Sequence, residues 1–518
     1  MSDNAVNRGP ILQWVVVLGV GVLVATVVLA LQLIPRLDAG QKVLDGAKPV
    51  FPTGRIEADV AGINFISEDV EMADPIVTPK GGAAAEVPAV IAYVAKKEHV
   101  SEAEAVKLVQ ETFPHTFGLL EALPLSSVSA ELPALEKFLE GALKVSPEEL
   151  TAALSENFPA ITQAITNLPT VTAGWNKIPG IGGLTRFDGE PVSSVPQVRD
   201  YFKEDLIPAV GGQQKNFESL DGTSKVNWIA KVLLAIAIIV IIFAAVMLAR
   251  NLIGSPKRGE RVAAAAVVPV VGVVIVGLVL ALALIPRVDH GQKLLTGLKP
   301  AFAPARVQGD RTGIEMVSAI VETEDPIMTP EGGAAGEVPE LIAFVAKGTG
   351  MSEAEVVAAL QENFPHVLGL LEALPLTAVA EELPQVEEFL APAIPAVPHL
   401  AQTIKYAPAV TSGWNSVPGM NAATTNFANE PIKTTPQVRD YFSKDVIPVL
   451  EDQQGNYEEL TGISKIGFIG WLVLAVGIVV ILYGLIMVVQ ALGWFQRGGE
   501  AKPSIASQTR DGVQGMSM

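Results

Sequence analysis

Two stretches of this sequence return almost unchanged at one fixed spacing. The ten residues LIPRLDAGQK that begin at Leu33 return as LIPRVDHGQK from Leu284. The fifteen residues DPIVTPKGGAAAEVP that begin at Asp74 return, at the same spacing, as DPIMTPEGGAAGEVP from Asp325. Each copy also starts and ends with a long apolar run. Because self-similarity at a fixed period is typical of a duplicated structural unit, we predict a tandem duplication.

Four apolar runs reach the length that a helix needs to cross a bilayer, about 20 residues. The first run is expected to be an anchor and not a cleaved leader, because its internal copy cannot be removed. The predicted division of the chain is an N-terminal segment at 1–10, membrane helices at 11–34, 226–250, 262–285 and 466–492, a link at 251–261, and a disordered tail at 493–518. Between the helices lie two predicted helical domains, named here the first long segment (residues 35–225) and the second long segment (residues 286–465).

The link between the second and third membrane helices fixes the expected orientation. It carries or adjoins four basic residues, against the single acidic residue Glu260: Arg250, Lys257, Arg258 and Arg261. Short loops rich in Lys and Arg stay in the cytoplasm, so we expect both termini to be cytoplasmic and both long segments to lie outside. Two membrane helices per copy give both copies the same orientation. The predicted symmetry is therefore a pseudo-two-fold axis along the membrane normal.

The charge and the cysteine content of the chain limit the kinds of partner and chemistry that the long segments suit. The first long segment holds 27 acidic and 16 basic side chains, a charge of −11, and the second holds 24 and 11, a charge of −13. Acidic domains are poor ligands for nucleic acid or anionic headgroups, and they suit either simple solubility or a basic partner. The chain has no cysteine, which excludes disulfides and thiolate chemistry.

Within the long segments, apolar residues recur at helical spacing, which predicts an all-α fold. The motifs Ser101-Glu-Ala-Glu104, Ser352-Glu-Ala-Glu355 and Ser146-Pro-Glu-Glu149 predict helix starts with reciprocal caps. Prolines at 114, 124, 133, 159 and 169 are expected to divide the first segment into short helices. We expect a compact helical bundle.

Small residues in the membrane helices suggest where those helices approach closely. Thr26 and Ala30 in the first helix, and Gly277 and Ala281 in the third, have the spacing of small-residue contact motifs. The alternative is that such residues are simply common in apolar segments.

Four residues in Trp- and His-bearing motifs are candidates for ligand or partner contact. Trp175 and Trp414 lie in matched Gly-Trp-Asn motifs, where a tryptophan either anchors an irregular loop in the core or lines a ligand pocket. His115 and His366 lie in matched Phe-Pro-His motifs. A first-turn position on a short helix is the simpler interpretation of each histidine, and a His/Glu metal site is the alternative. We predict no metal and no cofactor.

A further four candidates come from the motif Arg-Asp-Tyr-Phe, which occurs twice without change. It places Arg199 and Tyr201 in the first segment and Arg439 and Tyr441 in the second. On a helix these residues form a salt-bridged face that carries tyrosine, and this face is a candidate contact between the copies.

Two resemblances accompany these features. The layout of four membrane helices with a helical exterior resembles that of bacterial chemoreceptor-type sensors, whose homodimers have the same number of helices. The motifs ENFPHVLGLLEALP at 362–375 and GWNSVPG at 413–419 resemble uncharacterised multi-pass membrane proteins of actinobacteria. The second resemblance implies a bacterial membrane protein and no particular activity.

No nucleophile elbow, metalloprotease motif or paired-carboxylate site stands out in the sequence. We therefore predict a protein that is not an enzyme: an integral protein of the cell envelope whose exterior domains bind or scaffold a protein, lipid or wall component. One alternative is a sensor that signals through a separate cytoplasmic partner. The other is a transporter or a transporter subunit, which the absence of ionisable residues within the apolar runs disfavours.

Overall fold

The structure is a computed structural model of the chain, and it describes residues 8–78, 80–221, 228–254, 257–329, 333–420, 424–461 and 468–492. The predicted N-terminal segment up to residue 7 and the predicted tail from residue 493 lie outside these residues. Every regular element within the described ranges is helical, and the extended backbone is limited to isolated bridges at Thr185–Pro191 and Thr425–Pro431. The predicted all-α class is confirmed.

The helices up to the link are α1 Arg8–Ala30, α2 Leu33–Ala47, α3 Thr53–Val77, α4 Val87–Glu98, α5 Glu102–Thr112, α6 Pro114–Ala122, α7 Leu125–Leu143, α8 Pro147–Asn157, α9 Pro159–Thr166, α10 Leu168–Gly174, α11 Val195–Asp200, α12 Ile207–Gly212, α13 Gln214–Asp221 and α14 Trp228–Ile253. Those after it are α15 Arg258–Ala281, α16 Leu284–Leu298, α17 Pro304–Met328, α18 Ala334–Thr349, α19 Glu353–Asn363, α20 Pro365–Ala373, α21 Leu376–Leu390, α22 Pro398–Gly413, α23 Thr435–Asp440, α24 Ile447–Thr461 and α25 Phe468–Ala491. Short 3₁₀ turns occupy Ala83–Ala85 and Ile394–Ala396, and π-helical turns occupy Tyr201–Leu206 and Tyr441–Val446.

The predicted helix starts are confirmed. Ser101, Ser146 and Ser352 each accept the backbone N–H of the glutamate three residues later, and that glutamate accepts the backbone N–H of the serine. The prediction that Pro133 divides two helices is wrong, because Pro133 lies inside α7. Four helices are long and apolar enough to cross a membrane, namely α1, α14, α15 and α25.

The chain divides into two compact units. The four-helix unit contains the four long apolar helices and consists of the described residues among 8–41, 222–293 and 459–492. The large unit is built from residues 42–221 and 294–458.

In the four-helix unit, α1 packs along α14 and α15 packs along α25. Glycine permits the second contact, because a β-carbon on Gly272 would lie 2.9 Å from the carbonyl oxygen of Gly477. A β-carbon on Gly484 would lie 2.5 Å from the backbone nitrogen of Pro269. The predicted contact motif at Gly277 is wrong, since a β-carbon there would meet nothing within 4 Å. Gly477 of α25 does face α15, because a β-carbon there would lie 2.8 Å from the side chain of Val276.

In the large unit, the helices of the two long segments pack on each other. Helix α22 packs along α3, α9 and α10 pack along α17, and α6 packs across α20. Three aromatic pairs also join the segments, with ring centroids 5.5–5.7 Å apart: Phe113–Phe389, Phe138–Phe364 and Phe158–Phe344. The core of the large unit is therefore shared between residues that lie far apart in the chain.

Candidate functional site

The two candidate tryptophans are completely buried. The indole N–H of Trp175 donates to the Asp74 carboxylate at 2.7 Å, and that of Trp414 donates to the Asp325 carboxylate at 2.8 Å. A glycine precedes each tryptophan at a point where the two long segments lie close together. A β-carbon on Gly174 or Gly413 would collide with a side chain of the opposite long segment. The structure thus places both rings in the core, where each fixes the start of an irregular loop to a long helix.

The two candidate histidines lie where α6 crosses α20. Nδ1 of His115 lies 2.9 Å from the carbonyl oxygen of Glu372, and Nδ1 of His366 lies 2.6 Å from the carbonyl oxygen of Glu121. A carbonyl oxygen can only accept, so Nδ1 carries the proton in both rings. Each ring is held by the helix of the opposite long segment. Among the described residues, no group of three or more His, Cys, Asp or Glu side chains has an arrangement that would hold a metal ion.

Four glutamates bind helix N-termini in the opposite long segment. Each uses both carboxylate oxygens to accept the backbone N–H groups of the second and third residues of a helix that begins with proline. Glu86 binds α22 through His399 and Leu400, Glu337 binds α9 through Ala160 and Ile161, Glu131 binds α20 through His366 and Val367, and Glu382 binds α6 through His115 and Thr116, at 2.8–3.5 Å. A carboxylate at a helix N-terminus satisfies unpaired donors and complements the helix dipole. We name these four residues the cross-caps.

The cross-caps were missed by sequence reasoning. Glu86 and Glu337 belong to the repeated fifteen-residue stretches that begin at Asp74 and Asp325, and nothing in those stretches indicates a contact with a distant helix. The sequence does mark these helix starts, because each begins with a proline. The backbone N–H groups of the next two residues then need an acceptor. Which glutamate supplies the acceptor depends on contacts across more than 170 positions of the chain, and no local pattern encodes them.

The candidate arginines form ion pairs with the long helices. Arg199 lies 2.5 Å from Glu71 of α3 and 2.8 Å from its neighbour Asp200. In the second segment, Arg439 pairs in the same manner with Glu322 of α17 and with Asp440, at 3.4 and 2.6 Å. Each acidic partner also binds an amide of the opposite segment, since Gln402 donates to Glu71 at 2.7 Å and Asn167 donates to Glu322 at 3.2 Å. The arginines therefore bind within their own long segment, and each holds the glutamate that meets the opposite segment.

The candidate tyrosines are buried against aspartates of the opposite long segment. The hydroxyl group of Tyr201 faces the carboxyl group of Asp310, and that of Tyr441 faces Asp59. Burial raises the pKa of Asp310 and of Asp59 to about 7, although the facing tyrosine and a nearby arginine oppose this shift. Burial, together with the facing carboxyl group, raises the pKa of both tyrosines.

An arginine beside each Tyr–Asp pair fastens a loop of the opposite segment. Arg306, in the first turn of α17, donates to the carbonyl oxygens of Thr185 and Arg186 at 3.0 and 2.8 Å, and it lies over the Phe187 ring. Arg55, near the start of α3, donates to the carbonyl oxygen of Asn426 at 2.8 Å and lies over the Phe427 ring. The two loops are thus held by the same set of side-chain types.

A pair of acidic side chains was also missed. The carboxyl groups of Asp69 on α3 and Glu324 on α17 lie close together in the core, where the negative charge of one disfavours ionisation of the other. Burial raises the pKa of Asp69 to about 7, and burial followed by the charge of Asp69 raises the pKa of Glu324 well above its usual value. Oδ1 of Asp69 and Oε2 of Glu324 are buried without a hydrogen-bond partner among the described residues. The two positions are not equivalent in the repeat, so repeat analysis gave no signal for the pair.

No protein-family description, curated protein or solved structure matches this chain. The geometry above is therefore the basis for a functional interpretation.

Proposed function

We propose that the protein is a multi-pass integral membrane protein of the cell envelope that is not an enzyme, and that its large unit binds or scaffolds a protein, lipid or wall partner. The proposal that the protein spans a membrane rests on the location of its exposed large apolar side chains. Among the described residues they belong to α1, α14, α15 and α25 or to Leu492 just after them, and Val60 is the single exception. Apolar surface of this extent is stable when lipid covers it.

The proposed orientation has both termini in the cytoplasm and the large unit outside. It is supported by the basic link, where Arg250, Lys257, Arg258 and Arg261 outnumber the one acidic residue. Because the chain has no cysteine, single cysteines introduced into it can be labelled without background. We expect a membrane-impermeant maleimide to label Gly141→Cys in intact cells and to label Gly254→Cys only after permeabilisation. Both glycines are exposed, with open space where a side chain would lie. The reverse pattern would refute the orientation.

We propose further that the chain is a fused dimer of one duplicated unit, with a pseudo-two-fold axis along the membrane normal. The reciprocal contacts support this proposal. The four cross-caps form two reciprocal pairs, and the Tyr–Asp pairs and the histidine contacts each occur once in each direction between the long segments. Two identical subunits related by a two-fold axis would make such contacts in pairs.

The binding role is supported by the character of the large unit's surface. Val60 is its one exposed large apolar side chain within the described residues, and both long segments are acidic. Such a surface favours partners held by polar and charged contacts, and a basic partner in particular. The buried positions of Trp175, Trp414, Tyr201 and Tyr441 leave recognition to the polar exterior.

The experiment is capture of the full chain from membranes after crosslinking in intact cells, with mass spectrometry of the bound proteins and lipids. A wall-assembly protein or an envelope lipid that recurs in capture supports the proposal. A kinase or cyclase that recurs would support the alternative of a sensor with a separate cytoplasmic partner. Ion or solute flux in proteoliposomes that contain this chain alone would support the transporter alternative and contradict the scaffold.

A further inference from the structure

The four-helix unit contains an apolar cavity of about 180 Å³ at the middle of its helices. All four long helices contribute to its wall, for example through Val20 of α1, Ala237 of α14, Val271 of α15 and Val476 of α25. An engineered apolar cavity of about 150 Å³ in another protein stays dry and binds benzene. The space in this unit is therefore large enough for a segment of hydrocarbon chain.

The cavity offers nothing that would hold water or an ion. Its lining is apolar apart from one side chain, Tyr483, whose hydroxyl donates to the carbonyl oxygen of Gln13 at 3.3 Å. A buried water needs two to four polar partners. The cavity therefore does not suit a polar substrate, and a hydrocarbon is the chemistry that it fits.

Packed side chains close the cavity at both ends. On the side of the link, Trp14, Ala244, Ala265 and Met487 form a cluster to which all four helices contribute. At the opposite end, Val28 and Leu233 pack with their neighbours in a second cluster. The cavity lies between these clusters, where the α1–α14 pair meets the α15–α25 pair, and we name it the waist.

The cavity is open at its sides. One lining residue from each helix also lies on the outer surface of the bundle: Val16 is 38% exposed, Ile239 63%, Val267 40% and Val479 56%. The wall is thus continuous with the apolar surface that, in the proposed membrane protein, faces the hydrocarbon of the bilayer. An occupant enters from the lipid phase.

We infer that this waist binds an acyl chain of a bilayer lipid, inserted sideways between the two helix pairs. The inference rests on the proposed insertion of the four helices in a membrane. It places the lipid partner at a defined position on the chain. It also explains why the unit has small side chains such as Ala237 where larger ones would fill the cavity.

The test uses the full chain in liposomes of a phosphatidylcholine that carries a diazirine midway along one acyl chain. After irradiation, mass spectrometry locates the labelled residues. We expect label at Val20 and Val476 inside the waist as well as at Leu12 and Leu482, which lie on the lipid-facing surface. The ratio of inside label to surface label is the measured quantity.

Two filling variants on different helices, Ala237→Phe and Val271→Phe, should each lower that ratio by roughly fivefold or more, because a phenyl ring occupies a space of this size. The matched control is Ala235→Phe, on the same helix but exposed and outside the lining, and it should leave the ratio unchanged. If both filling variants keep the ratio of the control, the inference is wrong. If no helix is labelled at all, the membrane protein proposal itself fails, which separates the two failures.

Discussion

Gly118 of α6 and Gly369 of α20 lie so close that a β-carbon on either would come within 2.8 Å of the other's carbonyl oxygen. The two helices cross at this point, with His115 and His366 bound to backbone oxygens on either side of it. Only glycine permits backbone atoms to approach in this way. The central contact between the two long segments therefore depends on the absence of two side chains.

Replacement of one crossing glycine should weaken the large unit. A β-carbon in Gly118→Ala would lie 2.7 Å from the backbone nitrogen of Ala373, an atom that moves only if the helix moves. We expect the free energy of unfolding to fall by about 2 kcal/mol, as for other overpacked contacts. The control is Gly141→Ala in α7, where an added carbon meets nothing within 4 Å and helix propensity favours alanine. Equal stabilities of the two variants in urea unfolding would contradict the crossing.

Loss of a cross-cap should destabilise the protein even though the residue changed is half-exposed. Glu382→Ala removes the acceptor of two N–H groups of α6, and we expect a loss of about 1 to 2 kcal/mol in the free energy of unfolding. Its neighbour Glu381 is exposed on the same helix and supplies the control variant Glu381→Ala, for which we expect little change. Thermal unfolding followed by circular dichroism distinguishes them, and a difference near zero would count against the cap.

The large unit should become less stable as pH rises from about 4 to about 7. Asp59 and Asp310 have a folded pKa of about 7, against an ordinary value of 3.8. Between these values the folded chain binds more protons than the unfolded chain, so the free energy of unfolding decreases with rising pH and levels off above about 7. Chemical unfolding across this range measures the slope.

Removal of one of these acids should flatten the pH dependence. Asp310→Asn keeps the shape of the side chain and cannot ionise, so its stability relative to the wild type should increase as pH rises. Asp452 is exposed and shows no comparable burial, so Asp452→Asn should keep the slope of the wild type. A slope that Asp310→Asn leaves unchanged would mean that the buried acid does not titrate in this range.

The bond between Trp175 and Asp74 can be measured with a double-mutant cycle. We expect a coupling energy of about 1.5 to 3 kcal/mol between Trp175→Phe and Asp74→Ala, because the acceptor is charged and the donor is buried. The pair Trp414 and Asp325 has nearly the same geometry and provides an independent replicate. Additive effects in both cycles would show that the indole nitrogen contributes nothing to stability.

Features that depend on local sequence were predictable. The four apolar helices and the serine caps follow from runs of one residue class or from four-residue motifs, and the structure has them close to the expected positions. Pro133 lies in the middle of α7, where a proline removes one backbone hydrogen bond, and the buried side chains Val128, Leu132 and Leu139 on either side of it hold the helix in place.

Features that depend on distant contacts were not predictable from one sequence. The pairing of Asp69 with Glu324 and the four cross-caps join positions that no periodicity relates. The close contacts of α15 and α25 use Gly272, Gly477 and Gly484 instead of Gly277, because the rotation of each helix about its axis decides which small residue faces the neighbour. That rotation is set by packing.

The cross-caps also bear on how the molecule is made. When the first long segment leaves the ribosome, α6 and α9 have exposed N-termini, since Glu382 and Glu337 have not yet been synthesised. The N-termini of these two helices therefore have no carboxylate acceptor until the second long segment is synthesised. A stop codon ahead of Glu337 therefore removes the second long segment and also both acceptors that these two helices of the first long segment depend on.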